Sequence, residues 1–196
     1  DVLRIDPPLD LWDEALAEEM SLGKHSAILD LRKDTDRQRL KELIAEADVM
    51  VHGYRGDALE GLGLGASVRR SFNPGLVDVA LCAYGWTGPW AGRRGFDSIV
   101  QMSSGIAETG MRHYGKDKPT PLPVQALDYA TGFIVATAAV SGLAERVRSG
   151  DGSHFRTSPP ALPPCSKARS RTPTRRNSRR RRKQTSRPIS RKPIGA

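Results

Sequence analysis

The chain has 196 residues, with 31 Lys and Arg against 22 Asp and Glu and a formal net charge of +9. Residues 157–196 hold 13 of the basic residues and no acidic one, which leaves residues 1–156 with 18 basic against 22 acidic groups, a net of −4. The positive charge belongs to an appendage, so it does not make the body a nucleic-acid-binding domain.

Two cysteines, Cys82 and Cys165, are too few and too far apart for a disulfide framework or a metal site, which suits a reducing compartment and makes cytoplasm the expected location. The longest apolar run, residues 133–140, is interrupted by Thr137 and falls well short of the roughly 20 residues of a membrane span, so no membrane segment is expected. The chain opens on Asp1-Val2-Leu3-Arg4-Ile5-Asp6-Pro7-Pro8, a strand-like run stopped by prolines rather than a secretory signal. A beginning inside an element predicts further structure upstream.

Apolar segments then alternate between strand and helix character to about residue 150, the pattern of an α/β layer fold. Residues 2–5, 27–31, 49–51 and 77–83 read as buried strands. The clearest connecting helix covers about 35–47, with Leu40, Leu43, Ile44 and Ala47 at helical spacing and Asp34 as its cap. After His52-Gly53-Tyr54-Arg55-Gly56-Asp57 come three alternating glycines, Gly61, Gly63 and Gly65. Their G-x-G-x-G spacing does not leave a strand to open a helix, so they read as a turn or helix end and not as a dinucleotide loop.

Residues 84–95 form a loop rich in glycine and aromatics with the adjacent arginines Arg93 and Arg94, a length and place at which loops tend to carry function. Residues 96–102 resume helical spacing and end near Gly105; a second polar loop is expected over 110–123. The last ordered element is a long helix beginning at Asp128 or Tyr129, with Phe133, Ala136, Val140, Leu143 and Val147 in rhythm, Glu145, Arg146 and Arg148 facing solvent, and Gly150 as its stop. Beyond Phe155 the chain turns to Arg, Ser and Pro, cannot bury enough surface to offset its ordering entropy, and is expected to be disordered. The abrupt switch is also what translation in a wrong reading frame would produce.

Asp128 stands out by position, between a proline-bounded loop and a helix whose first turn holds Thr131 and Gly132. Free N–H groups and the helix dipole should keep a carboxylate there ionised and nucleophilic, although Asp is also an ordinary N-cap. His25, His52, His113 and His154 have no metal spacing and no Ser or Cys partner, so surface or core packing is expected for each and no metal is expected.

Four blocks carry a family resemblance: residues 1–8; Ser26-Ala27-Ile28-Leu29-Asp30-Leu31-Arg32-Lys33 through Ala47-Asp48-Val49-Met50-Val51-His52-Gly53-Tyr54; Gly85-Trp86-Thr87-Gly88-Pro89 to Gly95-Phe96-Asp97-Ser98-Ile99-Val100-Gln101; and Asp128-Tyr129-Ala130-Thr131-Gly132. In order and spacing they resemble class III CoA-transferases and the related acyl-CoA racemases, over nearly all of residues 1–155.

The resemblance implies a partial CoA-transferase large domain over 1–155, built on a Rossmann-like layered sheet with helices; composition sets residues 156–196 apart from it as a disordered basic tail. It implies coenzyme A, as acyl-CoA, and a carboxylic acid as substrates. CoA would move between carboxylates by ping-pong transfer through an aspartyl anhydride and an aspartyl-CoA thioester on Asp128. Leu29, Arg32, Gly53, Tyr54, Ala58 and Arg94 match positions lining the CoA site, with Arg94 and Arg32 near its phosphates. A family arginine is replaced by Gly61.

Similar racemases place a proton-exchanging His where this chain has Phe96, which ranks transferase above racemase. By resemblance the first strand and helix precede Asp1, and a glycine-rich loop and second domain follow residue 156. Family subunits form interlocked homodimers, so low or no activity is expected of this chain alone. The other readings are an inactive fragment and nonspecific nucleic-acid binding through phosphate contacts of the basic tail, which has no aromatic residues to stack on bases.

Overall fold

The computed structural model describes residues 1–8 and 14–159, with the backbone alone at 14–17. All of them fall within one compact unit, Asp1–Cys165. The expected basic tail lies outside the described residues from residue 160 onward, while its first two positions, Arg156 and Thr157, end a strand.

Five short strands alternate with helices in the order β1 Leu3–Asp6, α1 Glu14–Ser21, β2 His25–Ile28, α2 Asp34–Glu46, β3 Val49–His52, α3 Ala58–Gly61, α4 Ala66–Phe72, β4 Val77–Leu81, α5 Asp97–Ser103, α6 Ile106–His113, α7 Ala126–Ser149 and β5 Ser153–Thr157. Each pairing is parallel: β1 with β2, and β3-β4-β5 with β4 in the centre. Parallel neighbours need a crossover, and the helices between consecutive strands supply it. This is the α/β class expected of the pattern.

Strand β4 alternates strictly. Val77 and Val79 are fully buried against Val135, Ala138, Ala139 and Leu143 of α7, while Asp78 points to the other face, where it meets Arg69 of α4. On β3, Val49 joins the α7 side and Met50 joins Leu40, Ile44 and Leu76 on the α2 side. Helices therefore cover both faces of the three-stranded sheet, as a layered α/β fold requires.

The reading of four buried strands needs correction. Only β4 is buried along nearly its whole length; Leu3, Ile28 and Val51 are exposed. Among the described residues β4 alone has a paired neighbour on each side, and apolar composition cannot distinguish that position from an edge.

Helix α7 differs more sharply. Its 24 residues are long and apolar enough to cross a membrane by length and composition, although no contiguous apolar run announces it. Its buried residues are Leu127, Thr131, Val135 and Gly142; Val135 and Gly142 lie on the sheet, while Leu127 packs against Val100 of α5 and Ile106 of α6. Of the stripe expected from spacing, Phe133, Val140 and Val147 face outward, exposed by 76%, 67% and 87%, Ala136 is exposed with them, and Leu143 alone packs on the sheet. Close packing explains the choice. A Cβ on Gly142 would stand 2.5 Å from Val77 Cγ1 and 2.9 Å from Phe155 Cε2, so the helix approaches the sheet on its small-residue side.

The loop expected over 110–123 begins later, because α6 continues to His113. Gly110, an apparent loop marker, lies inside that helix. A Cβ there would meet the Thr120 carbonyl at 2.1 Å, and the crossing segment is held by Thr120 N–H donating to the Ala107 carbonyl at 2.8 Å. Asp34 is the first residue of α2 rather than its cap, with its carboxylate on Arg37. Gly61 ends α3, Gly63 takes a left-handed φ of +69° and Gly65 precedes α4, so the glycine series is a helix-to-helix turn.

Candidate active site

The carboxyl ends of β3 and β4 open into a cleft of about 440 Å³. Its walls come from the segment after β3 (Gly53, Tyr54, Arg55, Ala58), the turn after β4 (Cys82, Gly85, Trp86) and the aromatic loop ending at Arg94, Gly95 and Phe96. Parallel strands point their carboxyl ends the same way, and ligand sites in such sheets gather there.

The loop is braced rather than free. Trp86 Nε1–H donates to the Thr157 carbonyl at 3.2 Å, and Cys82 N–H donates to the same oxygen at 3.1 Å, tying the cleft to the end of β5. Arg156 stacks over Trp86 with its guanidinium carbon 5.0 Å from the ring centre. Tyr84 meets Trp90 edge-on at 5.3 Å, and Arg93 covers the Trp90 ring at 5.2 Å. Gly95 lets the loop close on itself, since a Cβ there would lie 2.7 Å from that of Ala83.

The electrostatics of the cleft are one-sided. Arg55, Arg93 and Arg94 line it and no Asp or Glu does. The guanidiniums of Arg55 and Arg94 have no ion pair or hydrogen bond with any described residue, so both are available to an anion.

Of the six positions carried over for CoA, Gly53, Tyr54, Ala58 and Arg94 line this cleft, and Leu29 and Arg32 do not. Leu29 packs against the Leu40 and Ile44 cluster. Arg32, 77% exposed, is engaged by Asp30 through two bonds of 2.7 and 3.0 Å. Arg55 and Trp86 are cleft residues that site reasoning from sequence passed over. Arg55 carries a signal like that of Arg94, an arginine flanked by glycines in a loop between a strand and the next helix.

Asp128 occupies the first turn of α7, two residues inside its start, with an exposed side chain that is not part of the cleft wall. The cap of α7 comes from elsewhere: Asp97, buried at the start of α5, accepts the Leu127 N–H at 2.8 Å and the Asp128 N–H at 2.9 Å on one oxygen. Partial burial pushes the Asp128 carboxyl above the usual carboxylate range, and the Asp97 charge adds to the push. The helix-dipole argument expected a carboxylate eased into ionisation; desolvation and a like charge outweigh it. Phe96, next to Asp97, is on the cleft wall, so the residues linking cleft to Asp128 are consecutive.

Below the cleft floor, His52 at the end of β3 meets a buried ion pair. Arg69 donates to Asp78 through Nε at 3.0 Å and Nη2 at 2.6 Å, and its Nη2 lies 3.2 Å from His52 Nε2. Burial, then the Arg69 charge, lowers the His52 pKa to about 4. His52 is thus a packed core histidine, as expected of it. Among the described residues no group of His, Cys, Asp and Glu is arranged to hold a metal.

The sequence model of CoA-transferase family III matches residues 1–163. The chain belongs to that family. A probable fatty acyl-CoA transferase of Mycobacterium tuberculosis is 38% identical over 128 residues, covering 65% of this chain and 32% of that protein. A succinate–glutarate CoA-transferase of Agrobacterium fabrum is 32% identical over 133 residues, covering 68% of this chain and 33% of its own length.

A crystal structure of the same mycobacterial protein superposes with a TM-score of 0.69 at 31% identity, over 81% of this chain and 46% of that one. The family III chain described here therefore spans about a third of the length of these curated relatives and under half of the solved chain.

Proposed function

We propose that this chain supplies the CoA cleft and the nucleophilic carboxylate of an enzyme that moves CoA from an acyl-CoA to a carboxylic acid. Family III membership over residues 1–163 is the observation that carries the reading. The acids named for the relatives differ, fatty acyl in one and succinate and glutarate in another, so the shared chemistry is the CoA thioester and a carboxylate.

The cleft suits the phosphates and base of CoA on chemical grounds. Arg55 and Arg94 are free cations for phosphate oxygens, and Tyr54 and Trp86 offer flat apolar surface to a base. Leu29 and Arg32 belong to the same assignment as flanking positions at the carboxyl end of β2.

In this reading an Asp128 carboxylate oxygen bonds to the thioester carbonyl carbon, and the C–S bond breaks to release CoA thiolate and leave a mixed anhydride. The thiolate then attacks the Asp128 carbonyl carbon; the donor acid departs as its carboxylate and an aspartyl-CoA thioester remains. The acceptor carboxylate opens that thioester, and the freed thiolate attacks the acceptor's carbonyl to give the new acyl-CoA and restore Asp128. Every step exchanges one acyl bond for another. A carboxylate is required because an ester or amide at this position would not be reopened by a thiolate. Raising the carboxyl above its ordinary range favours the reaction, since a more basic carboxylate is a stronger nucleophile once ionised.

Phe96 supports transfer over racemisation, because a phenyl ring cannot carry the second proton that inversion at an α-carbon demands. The exposed apolar side of α7, with Phe133, Val140 and Val147, supports assembly with a second subunit as a homodimer.

The test is covalent capture. After exposure to acyl-CoA and quenching with hydroxylamine or borohydride, mass spectrometry should find a modified Asp128 peptide, and Asp128→Ala should abolish it. An unmodified Asp128 in a chain that binds CoA, or turnover by Asp128→Ala, would overturn the assignment.

A further inference from the structure

Asp97 is 2% exposed, yet its carboxylate serves a helix 30 residues further along the chain. The first N–H groups of any α-helix lack partners within it, and Gln125, which precedes α7, gives no side-chain cap. Asp97 Oδ2 takes two of those N–H groups, from Leu127 and Asp128, while Oδ1 takes the Gln101 amide. Gln101, 1% exposed, accepts the Leu122 N–H at 2.7 Å and donates to the Val124 carbonyl at 3.2 Å. The loop before α7 and the first turn of α7 are thus held as one piece by two adjacent buried side chains on α5.

We propose that Asp97 is the positioning residue of the transfer site: its buried carboxylate anchors the first turn of α7 and so presents Asp128 to the thioester. The proposal rests on the reading of Asp128 as nucleophile. Asp97 touches no reacting atom. Its effect runs through the backbone N–H of the residue it presents and through a full negative charge beside that residue's carboxylate.

A neutral Ser or Asn cap would satisfy the same N–H groups, so the charge has to be accounted for separately. Like charges close together raise the energy of the exposed one, which lacks the donors that stabilise the buried one. Among the described residues Asp97 is the charged group that acts on the Asp128 carboxyl, alongside its partial burial. The arrangement holds a nucleophile in a destabilised ionised form while fixing where it stands, a combination that favours attack over rest.

Three measurements on the full chain test this, none of which requires turnover. Amide hydrogen exchange should find the Leu127 and Asp128 N–H groups protected well beyond those in the first turn of α2, where no side chain caps the helix. Carbonyl-labelled NMR titration should find that Asp97→Asn, which keeps an acceptor oxygen but removes the charge, shifts the Asp128 midpoint to lower pH. Acyl-adduct formation at Asp128 should slow in the same variant with CoA affinity unchanged. Unprotected Leu127 and Asp128 amides, or an Asp128 midpoint unmoved by Asp97→Asn, would sink the proposal. Absence of any adduct in the parent chain, with protection and titration as expected, would remove the transfer reading and leave the anchor standing.

Discussion

The backbone N–H of Asp128 donates to the buried Oδ2 of Asp97 at 2.9 Å, so the proposed nucleophile and its neighbouring carboxylate are joined through main chain and not through their side chains. Asp97→Ala leaves two helix-start N–H groups and the Gln101 amide without this acceptor. Loss of a cap costs about 1 kcal/mol and an orphaned buried donor about 1–3 kcal/mol. Urea denaturation should therefore find Asp97→Ala less stable by roughly 2–4 kcal/mol.

Arg69 neutralises Asp78 in the core, with both side chains under 10% exposed and a third Arg69 bond to the Leu64 carbonyl. Arg69→Met strands a buried carboxylate, and the expected loss is about 3–5 kcal/mol. Replacing Asp78 by Leu in the same chain should recover much of it. Chemical denaturation of the two variants checks both halves.

His52 sets a pH dependence. Its folded pKa, lowered to about 4 by burial and then by Arg69, lies below the roughly 6.5 of an unfolded histidine. Between these values the unfolded chain takes up a proton that the folded chain resists, so stability falls as pH drops from about 6.5 to 4. The loss is on the order of 3 kcal/mol by the usual conversion. Melting temperature followed across this window should decline less steeply in His52→Asn than in the parent chain.

Gly142 sits where α7 meets β4 and β5. An added methyl would press on Val77, Ser153 and Phe155 at 2.5–2.9 Å, and two of those contacts belong to side chains packed in the core. Gly142→Ala should cost about 1–3 kcal/mol despite the better helix propensity of alanine. Gly132→Ala, with nothing near its added Cβ, is the control and should be neutral or stabilising.

Arg55→Ala and Arg94→Ala each remove an unpaired cation from the cleft. Each should weaken CoA binding by roughly tenfold or more, the scale of one charge-assisted hydrogen bond. The parent chain should show a steeper salt dependence than either variant in calorimetric titration. Arg32→Ala, whose guanidinium is committed to Asp30, should have the smaller effect.

Part of the fold was legible because short-range physics decides it. Helix α2 lies within a residue of its expected bounds, since Leu40 and Ile44 repeat at helical spacing and charges fill the other face. Gly150 ends α7 with a left-handed φ of +82°, a conformation that favours glycine in any context. Four of the six carried-over cleft positions converge after β3 and β4, while Leu29 and Arg32 follow a strand of the other sheet.

The outward stripe of α7 shows where spacing fails. Phe133, Val140 and Val147 satisfy the helical rhythm as well as Leu127, Val135 and Gly142 do, and larger side chains make theirs the more conspicuous face. Which face is buried depends on how closely the partner sheet approaches, and a close approach selects small residues. Likewise β5 has little apolar alternation to announce it, with Phe155 as its one large apolar residue; it forms because β4 offers an open edge in register from Val77 with Ser153 to Leu81 with Thr157.

By itself the sequence determined an α/β chain of one family, the helix and turn signals, and Asp128 as the carboxylate to watch. Tertiary structure decided which side of α7 is covered, which arginines stay free, and that the cap of α7 comes from Asp97. The physical reason is range. Propensities and capping act over a few residues, whereas the Asp97 bond to Asp128, the Gly142 contact with Val77 and the Arg69 pair with Asp78 exist only once distant segments have been brought within a few ångströms.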